Sequence, residues 1–573
     1  MDGFSRATRT AARGSASMTA RPLDADAPFE QSPRGQRIRS LVRPTSPVAV
    51  LLGALLVVTT LVGWPTPAHA APAPIDVYPV QPVYERSAAY RLTANGREVP
   101  VTRYHGYDIA QFAMGDGTAR LTVTKLNNTS IGSYSISPAK LNVSASVSGP
   151  ALTFTVARDA YLIVKVDGRP RLVVAIDPAE NDRPASSGTG IFNVRSAPYS
   201  VKPGSDYATS NFQAALDDAA AWGSAKGRQG TVYVPAGLYT LGNLYLRSNL
   251  VLYLEPGAVL RYTGERGHYD VHWHKTSQNR DVTWFISTRY SSRNISLRGR
   301  GIIDGDGEAA LQRGNLGVNL LVPVYTSDFD VDGITFRESS SWAVTPARSS
   351  KMTFKNMKIF NRFDMGENDG IDVMESTDVT VKHAIAIGLD DPFSTKTWSR
   401  ETDLFLKVPG DPKPLDRVVF DDLVSWTYCY GVKVGQGVMQ PQSHVTFQHV
   451  VVYDSAVAIG VHHKYGSAAA TDIRFDDIDI ERISNSNDSN RTWLAIWTGS
   501  TLGAGPVSGV DISNIRMRDA GTTAARVNGQ PGAPVTGLTL SHVYMPGASA
   551  PATTLGQMHL TDLSQHGPIT IAN

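Results

Sequence analysis

The chain of 573 residues is too long for one ordinary globular domain, and its 42% hydrophobic content can bury a large core, which excludes global disorder. Its 54 Lys and Arg nearly cancel its 52 Asp and Glu; the net charge of +2 excludes a broad electrostatic footprint for nucleic acid and leaves room for a local basic groove. The single cysteine, Cys429, excludes an intrachain disulfide and a thiolate metal cluster, and is expected to be a small buried hydrophobe.

At the amino terminus, Arg37, Arg39 and Arg43 precede the apolar run "VAVLLGALLVVTTLVGW", which ends in "PTPAHA" with small residues at Ala68 and Ala70. A positive flank, an apolar core and an A-x-A site make a secretory signal pattern, with cleavage after Ala70. Residues 1–70 are therefore expected to be a signal peptide with an extension, for which Met18 is a candidate start. The rival is an uncleaved anchor, since the run is nearly long enough to span a bilayer. The mature protein is expected to be secreted, monomeric and free of the membrane.

Residues 71–198 alternate apolar and polar in short runs such as "ARLTVTKL", "ALTFTVA", "YLIVKV" and "RLVVAID", separated by turn residues. This predicts a β-sandwich. The pattern then breaks. Phe212, Ala215, Leu216, Ala219 and Trp222 recur at helical spacing and predict one amphipathic helix. Beyond it, "MTFKNMKI" (352), "VVFDDLVS" (418), "VTFQHVVV" (445), "IRFDDIDI" (473), "VDISNIRM" (510) and "LTLSHVYM" (538) share one pattern, several copies lying 27 or 28 residues apart. Such β-rich self-similarity predicts a right-handed parallel β-helix over residues 199–573, with the helix capping its open end. Acidic pairs in "DDLVSW" and "FDDIDIE" read as solvated coil corners.

Two segments within the repeats concentrate acids: "NDGIDV" (368–373) carries Asp369 and Asp372, and "GLDDPF" carries Asp390 and Asp391. Coils stack about 4.7–4.9 Å apart, and a step of about 21 residues is close to one coil. Asp369, Asp390 and Asp391 should then converge on one wall. Asp372 lies an odd number of positions from Asp369, which places it on the opposite face of a regular strand and assigns it a structural role. Glycoside hydrolysis needs two carboxyl groups across the scissile bond, and crowded acids raise the pKa of one of them. Taken alone, the same aspartates also read as turn residues.

Residues 200 to 500 resemble the polygalacturonase-type enzymes of glycoside hydrolase family 28, and more loosely the clan-related dextranase family 49. The resemblance rests on the helix entry "NFQAALDDA", on "GRGIIDGDG" (299–307), on "ENDGID" at the place of the family's N-T-D motif, and on the Asp390–Asp391 pair. It implies Asp390 as general acid, Asp369 and Asp391 as the holders of an attacking water, and inversion at the anomeric carbon. Lys396 sits where some exo-acting members carry a lysine. Tyr430 replaces the family's Gly-His-Gly histidine, and His462 replaces the arginine of its Arg-x-Lys clamp, where Lys464 survives. Tyr430, His462, Lys464 and Lys396 are thus expected at the substrate, with Trp398 as an aromatic platform.

No metal and no cofactor is expected; adjacent strand histidines such as His462 and His463 diverge, and no third ligand is evident nearby. The expected partner is a polysaccharide or oligosaccharide, foremost a pectic, galacturonate-containing chain. The rivals are a neutral glucan such as dextran, a β-helix polysaccharide lyase holding Ca²⁺, and a non-catalytic glycan-binding β-helix.

Overall fold

The computed structural model describes residues 71–204, 207–400, 404, 408–484 and 490–573. The expected signal segment in 1–70 lies outside the described residues. Within them, no helix is long and apolar enough to cross a membrane.

Two packed sheets come first. A five-stranded antiparallel sheet includes Tyr90–Ala94, Ala119–Lys125 and Ala151–Val156, and a six-stranded sheet includes Tyr107–Met114, Ala160–Val166 and Arg171–Pro178. They form a β-sandwich around Leu121, Val123, Phe154, Leu172, Val174 and Ile176. The six-stranded sheet is buried on both faces, which explains why "YLIVKV" and "RLVVAID" carry few polar alternates. Tyr161, Ile163, Val173 and Ala175 point away from the sandwich core and pack on Phe360, Ile385, Ile387, Trp426 and Tyr453 of the following region.

That region is a right-handed parallel β-helix. Its longest sheet has 17 strands and opens at Ile191–Asn193, ahead of the boundary expected at residue 199. The six repeat copies lie on neighbouring or next-but-one strands. Met352, Val379, Val418, Val445, Ile473, Val510 and Leu538 stand one above the next in register. One coil that the repeat pattern missed, at Thr377–Gly388, lies between the first two copies. Inside the stack, Phe420, Phe447 and Phe475 overlap nearly parallel, with ring centroids 4.6 and 5.3 Å apart. Each such pair adds about 0.5–1.5 kcal/mol beyond the area it buries.

The two polar positions of the repeat also have a physical cause. The long strands bend at Asn356, His383, Asp422, His449, Asp477, Asn514 and His542, all with φ between 49 and 57°. Asn, Asp and His enter the left-handed region at less cost than other residues with a Cβ. The second polar position of every copy is one of those three types, and the acidic pairs at Asp421–Asp422 and Asp476–Asp477 are such corners.

The helix forms at Thr209–Lys226 and covers the first coils, packing on Gly230–Val234 and Leu250–Leu254. Its buried stripe is Phe212, Ala215, Leu216, Ala219, Ala220 and Gly223. Trp222 is only half-buried and stands over Gly190 instead. Gly223 carries the close approach, because a Cβ there would meet the Asn249 carbonyl oxygen at 2.3 Å.

A buried ion pair ties the sandwich to the β-helix. Lys358 Nζ donates to Asp177 Oδ1 and Oδ2 at 2.7 and 2.8 Å and to the Gly333 carbonyl at 2.8 Å. The Tyr78 and Tyr161 hydroxyls donate to the same carboxylate at 3.1 and 3.2 Å. Removing Lys358 leaves the buried Asp177 carboxylate with the two hydroxyls and only a longer contact to Arg300 Nε at 3.9 Å. Lys358→Met should therefore cost about 3–5 kcal/mol in chemical denaturation; a loss below about 1 kcal/mol would show that the pair does not hold the two parts together.

Candidate active site

The acids are carried by a second, seven-stranded parallel sheet that starts at Ile371–Met374 and continues through Phe393–Thr397, Tyr430–Val438, Val457–Tyr465 and Thr492–Thr501. Ile371, Val373, Phe393, Val432, Val434, Ile459 and Val461 fill the core of the β-helix. Strand alternation turns Asp372, Ser394, Lys396, Lys433 and His462 to the outer face. Asp372, Ser394 and Lys433 are register partners on three successive strands.

Asp369 and Asp390 sit in the turns that lead into the first two strands. Ile371 pairs with Phe393, a step of 22 residues (393 − 371), so the turns stack. The Gly370 N–H donates to the Asp391 carbonyl at 2.9 Å. Asn368 joins the turns from within: its Oδ1 accepts the N–H groups of Leu389 and Asp390 at 3.0 and 3.2 Å. Its carbonyl accepts from Asn361 Nδ2 at 2.8 Å, and the Asn361 carbonyl accepts the Tyr107 hydroxyl at 3.0 Å. The chain of contacts runs from the sandwich to the backbone of Asp390.

Carboxylate oxygens of Glu367, Asp369 and Asp390 lie within 4.8 Å of one another, and those of Asp390 and Asp391 lie equally close to the Cys429 sulfur. Ammonium groups balance most of this charge. Lys396 Nζ bridges Asp369 Oδ2 at 2.6 Å and Asp372 Oδ2 at 2.7 Å. Lys433 Nζ pairs with Asp391 Oδ2, and Lys275 Nζ with Glu367 Oε2 at 2.7 Å. Such spacings could hold a cation, but three of the donors, Glu367, Asp369 and Asp391, are already paired with lysines, which does not suit a metal centre. Among the described residues, no ammonium or guanidinium lies within ion-pair distance of Asp390. Asp390 is half-buried and lines a cavity of about 140 Å³ with Tyr428, Cys429, Tyr430, Val457 and Asn490, while Asp369 and Asp391 are 2% exposed.

These surroundings set the protonation states. Burial, then the neighbouring Asp391 charge, raises the pKa of Asp390 above the usual carboxylate range. Burial and Asp372 push Asp369 well above it, against the pull of Lys396. Burial would also raise Asp391, but Lys433 and then Lys396 outweigh it and hold that carboxyl below its ordinary value. Burial, followed by Asp391 and Asp390, raises the Cys429 thiol, so it stays neutral. Cys429 is thus a half-buried hydrogen-bonding neighbour of the acids, contrary to the apolar burial expected of it.

Asp369, Asp390 and Asp391 are brought together, as the spacing implies. Asp372 joins them, against expectation: Asp369 precedes the strand, where alternation does not apply, and Lys396 reaches both carboxylates. Lys396, expected at the substrate, is 3% exposed, with its ammonium held by those two acids. Trp398 is also not a free platform; it packs beside the Trp273–Trp342–Met374 cluster and 6.0 Å from the Tyr465 ring. Trp342 lies closer to the acids, 5.0 Å from Lys396 Nζ.

Tyr430 and His462 form one wall of aromatic rings. The Tyr430 ring lies over Gly460, where a Cβ would fall 2.3 Å from it. His462 stands between Tyr430 (5.5 Å) and Trp497 (4.1 Å), with both ring nitrogens buried and unpartnered. Burial, then Lys433, drives its pKa well below the usual histidine value, so the ring is neutral. Lys464 is half-exposed at the edge, 5.0 Å from the Tyr465 ring. Lys433, Lys275 and Asn368 had no place in the sequence reading. Alternation about Val432 and Val434 was a usable signal for Lys433; nothing local connects Lys275 to residues some ninety positions away.

Residues 229–561 match the profile of glycosyl hydrolases family 28. The chain is 24% identical over 369 residues to a probable polygalacturonase of Vitis vinifera, covering 60% of this chain and 72% of that protein. Among solved structures, Dex49A from Penicillium minioluteum superposes with a TM-score of 0.54 at 13% identity, over 87% of this chain and 96% of that one. An exopolygalacturonase from Thermotoga maritima gives 0.48 at 16% identity, over 64% and 87%. The likeness to Dex49A speaks for the β-helical fold alone, whereas the family match spans 333 positions (561 − 229 + 1) of 573, more than half the chain. This chain belongs to glycosyl hydrolases family 28.

Proposed function

We propose that this glycosyl hydrolase is an exported enzyme that cleaves a pectic, galacturonate-containing polysaccharide with inversion. The observation that carries the catalytic reading is Asp390: the half-exposed acid of the cluster that lies beyond ion-pair distance of any described basic group, beside a charged Asp391. A carboxyl in that setting holds its proton to higher pH than an ordinary one and can deliver it to a leaving glycosidic oxygen. Asp391, kept a carboxylate by Lys433, deprotonates the water, which Asp369 helps to hold. Oxygens of Asp369 and Asp390 lie within 4.8 Å, short of the about 6.5–9.5 Å that usually admits a water between two carboxyls. In this reading the water lies beside the pair, against Asp391, and inversion is supported by the family membership and not by this spacing. The pectic substrate is supported by the curated relative, and export by the apolar run before Ala70. A neutral glucan is the second reading, favoured by His462, since an uncharged ring cannot clamp a carboxylate as a guanidinium does.

Asp390→Asn should lower reducing-sugar release from polygalacturonate by about 10²–10⁴-fold while substrate binding and the melting temperature stay near wild type; retained turnover removes the acid assignment. Proton magnetic resonance of the first-formed anomer should show inversion, and a retained anomer contradicts direct attack by water. Activity should fall as pH rises through the raised pKa of Asp390, because the proton that must be donated is lost there. Asn368→Ala strips the acceptor from the part-buried N–H groups of Leu389 and Asp390, and kcat should fall more than KM changes. An unaltered kcat would show that Asn368 does not position Asp390.

A further inference from the structure

Lys433 is 1% exposed, its ammonium paired with Asp391 Oδ2 and lying 5.2 Å from the centre of the Tyr430 ring. It cannot touch a sugar in the groove, because Tyr430 covers it and the ring itself is only 8% exposed. Nothing in the proposed chemistry consumes this charge. Its place follows from the ladder: Lys433 is the register partner of Ser394 on one side and Gly460 on the other, and Gly460 leaves room for the Tyr430 ring above it.

The adjacent carboxyls Asp390 and Asp391 pose a problem that sequence neighbours in a buried site always pose. Two crowded carboxyls readily share one proton, and either can hold it. If the proton rests on Asp391, the acid is on the buried group and the exposed one is charged. A fixed cation touching only one of the two breaks this symmetry. We propose that Lys433 is a positioning residue that decides which of the twin aspartates carries the proton, keeping Asp391 a carboxylate and leaving the proton on Asp390.

This assignment rests on Asp390 being the acid of the proposed reaction. The other groups facing the pair are consistent with the division. Cys429 is a neutral thiol, His462 a neutral ring, and Tyr430 a phenol whose pKa burial raises. Lys396 is already committed to Asp369 and Asp372, and Arg526 stands further along the sheet, over the Trp497 ring at 5.6 Å. Cys429 hydrogen-bonds Asp391 and the Tyr430 N–H donates to its Oδ1 at 3.4 Å, but among the described residues only Lys433 forms an ion pair with it; Glu367 and Asp369 face Asp390 within 4.8 Å, where the Glu367 charge favours the proton on Asp390. The lysine in turn stays charged in a buried site because Asp391 and the other groups beside it together outweigh burial and raise its pKa.

The test is the pH dependence of kcat and KM for Lys433→Met and Lys433→Arg against wild type on one polysaccharide, so that ionisation of the substrate cancels. Loss of the cation should raise the acid limb of kcat/KM by about one to three pH units, the shift that one close opposite charge produces. It should also lower kcat at least about tenfold, with KM little changed. Lys433→Arg should return the limb toward its wild-type position. An unmoved limb in Lys433→Met, or a change confined to KM, overturns the assignment. Should Lys433→Met not fold, ¹³C titration of the aspartate carboxyls in the wild-type protein decides. Asp391 should titrate below and Asp390 above the ordinary value of about 3.9, and coincident titration overturns the proposal. An inactive Asp390→Asn together with an unmoved limb in Lys433→Met sinks only the role of Lys433; an active Asp390→Asn sinks the underlying acid assignment.

Discussion

Hydrogen bonding between coils sets every other distance in this molecule. Once Ile371 is paired with Phe393, the turns that precede them must stack, and Asp369 is carried to Asp390 and Asp391 without any contact of its own. The same register aligns the phenylalanine stack inside and the left-handed corners outside. A slip of one residue would turn the outward lysines and aspartates into the core and the valines into solvent. The apolar interior therefore enforces the placement of the polar site, though it touches none of it.

The second constraint is charge. Glu367, Asp369, Asp372, Asp390 and Asp391 crowd one patch, and their mutual repulsion would be severe if nothing offset it. Lys275, Lys396 and Lys433 each come from a different strand to do so. Their arrangement leaves Asp390 as the acid without a cation and with access to the groove. Reactivity here is defined as much by where ammonium groups are withheld as by where carboxyls are placed.

The β-sandwich is bound into this arrangement. Its Tyr107 hydroxyl reaches Asn361, which holds Asn368, which holds the backbone of Asp390. The buried Lys358–Asp177 pair fixes the two parts near that path. The sandwich thus supports the geometry of the turns that carry the acids.

The repeats, the alternation, the capping helix and the stacked aspartates were all legible in the sequence, because each depends on a local period or on a spacing close to one coil. The corner residues were legible too, as the Asn, Asp or His that a left-handed bend tolerates. Three things were not. Asp372 was assigned to the wrong face because its strand begins after Asp369, and a strand's first residue is set by pairing with its neighbour. Lys396 was read as a substrate contact because nothing in "DDPFSTK" tells that two acids 24 and 27 positions earlier (396 − 372 and 396 − 369) will claim its ammonium. Lys433 and Lys275 went unremarked because an ion pair between strands has no spacing rule. By itself the sequence determined the coil, the wall and the acids, since these follow from periods along one chain. Only the tertiary structure decided which acid stands without a cation, because the energy of a buried charge depends on every strand that packs against it.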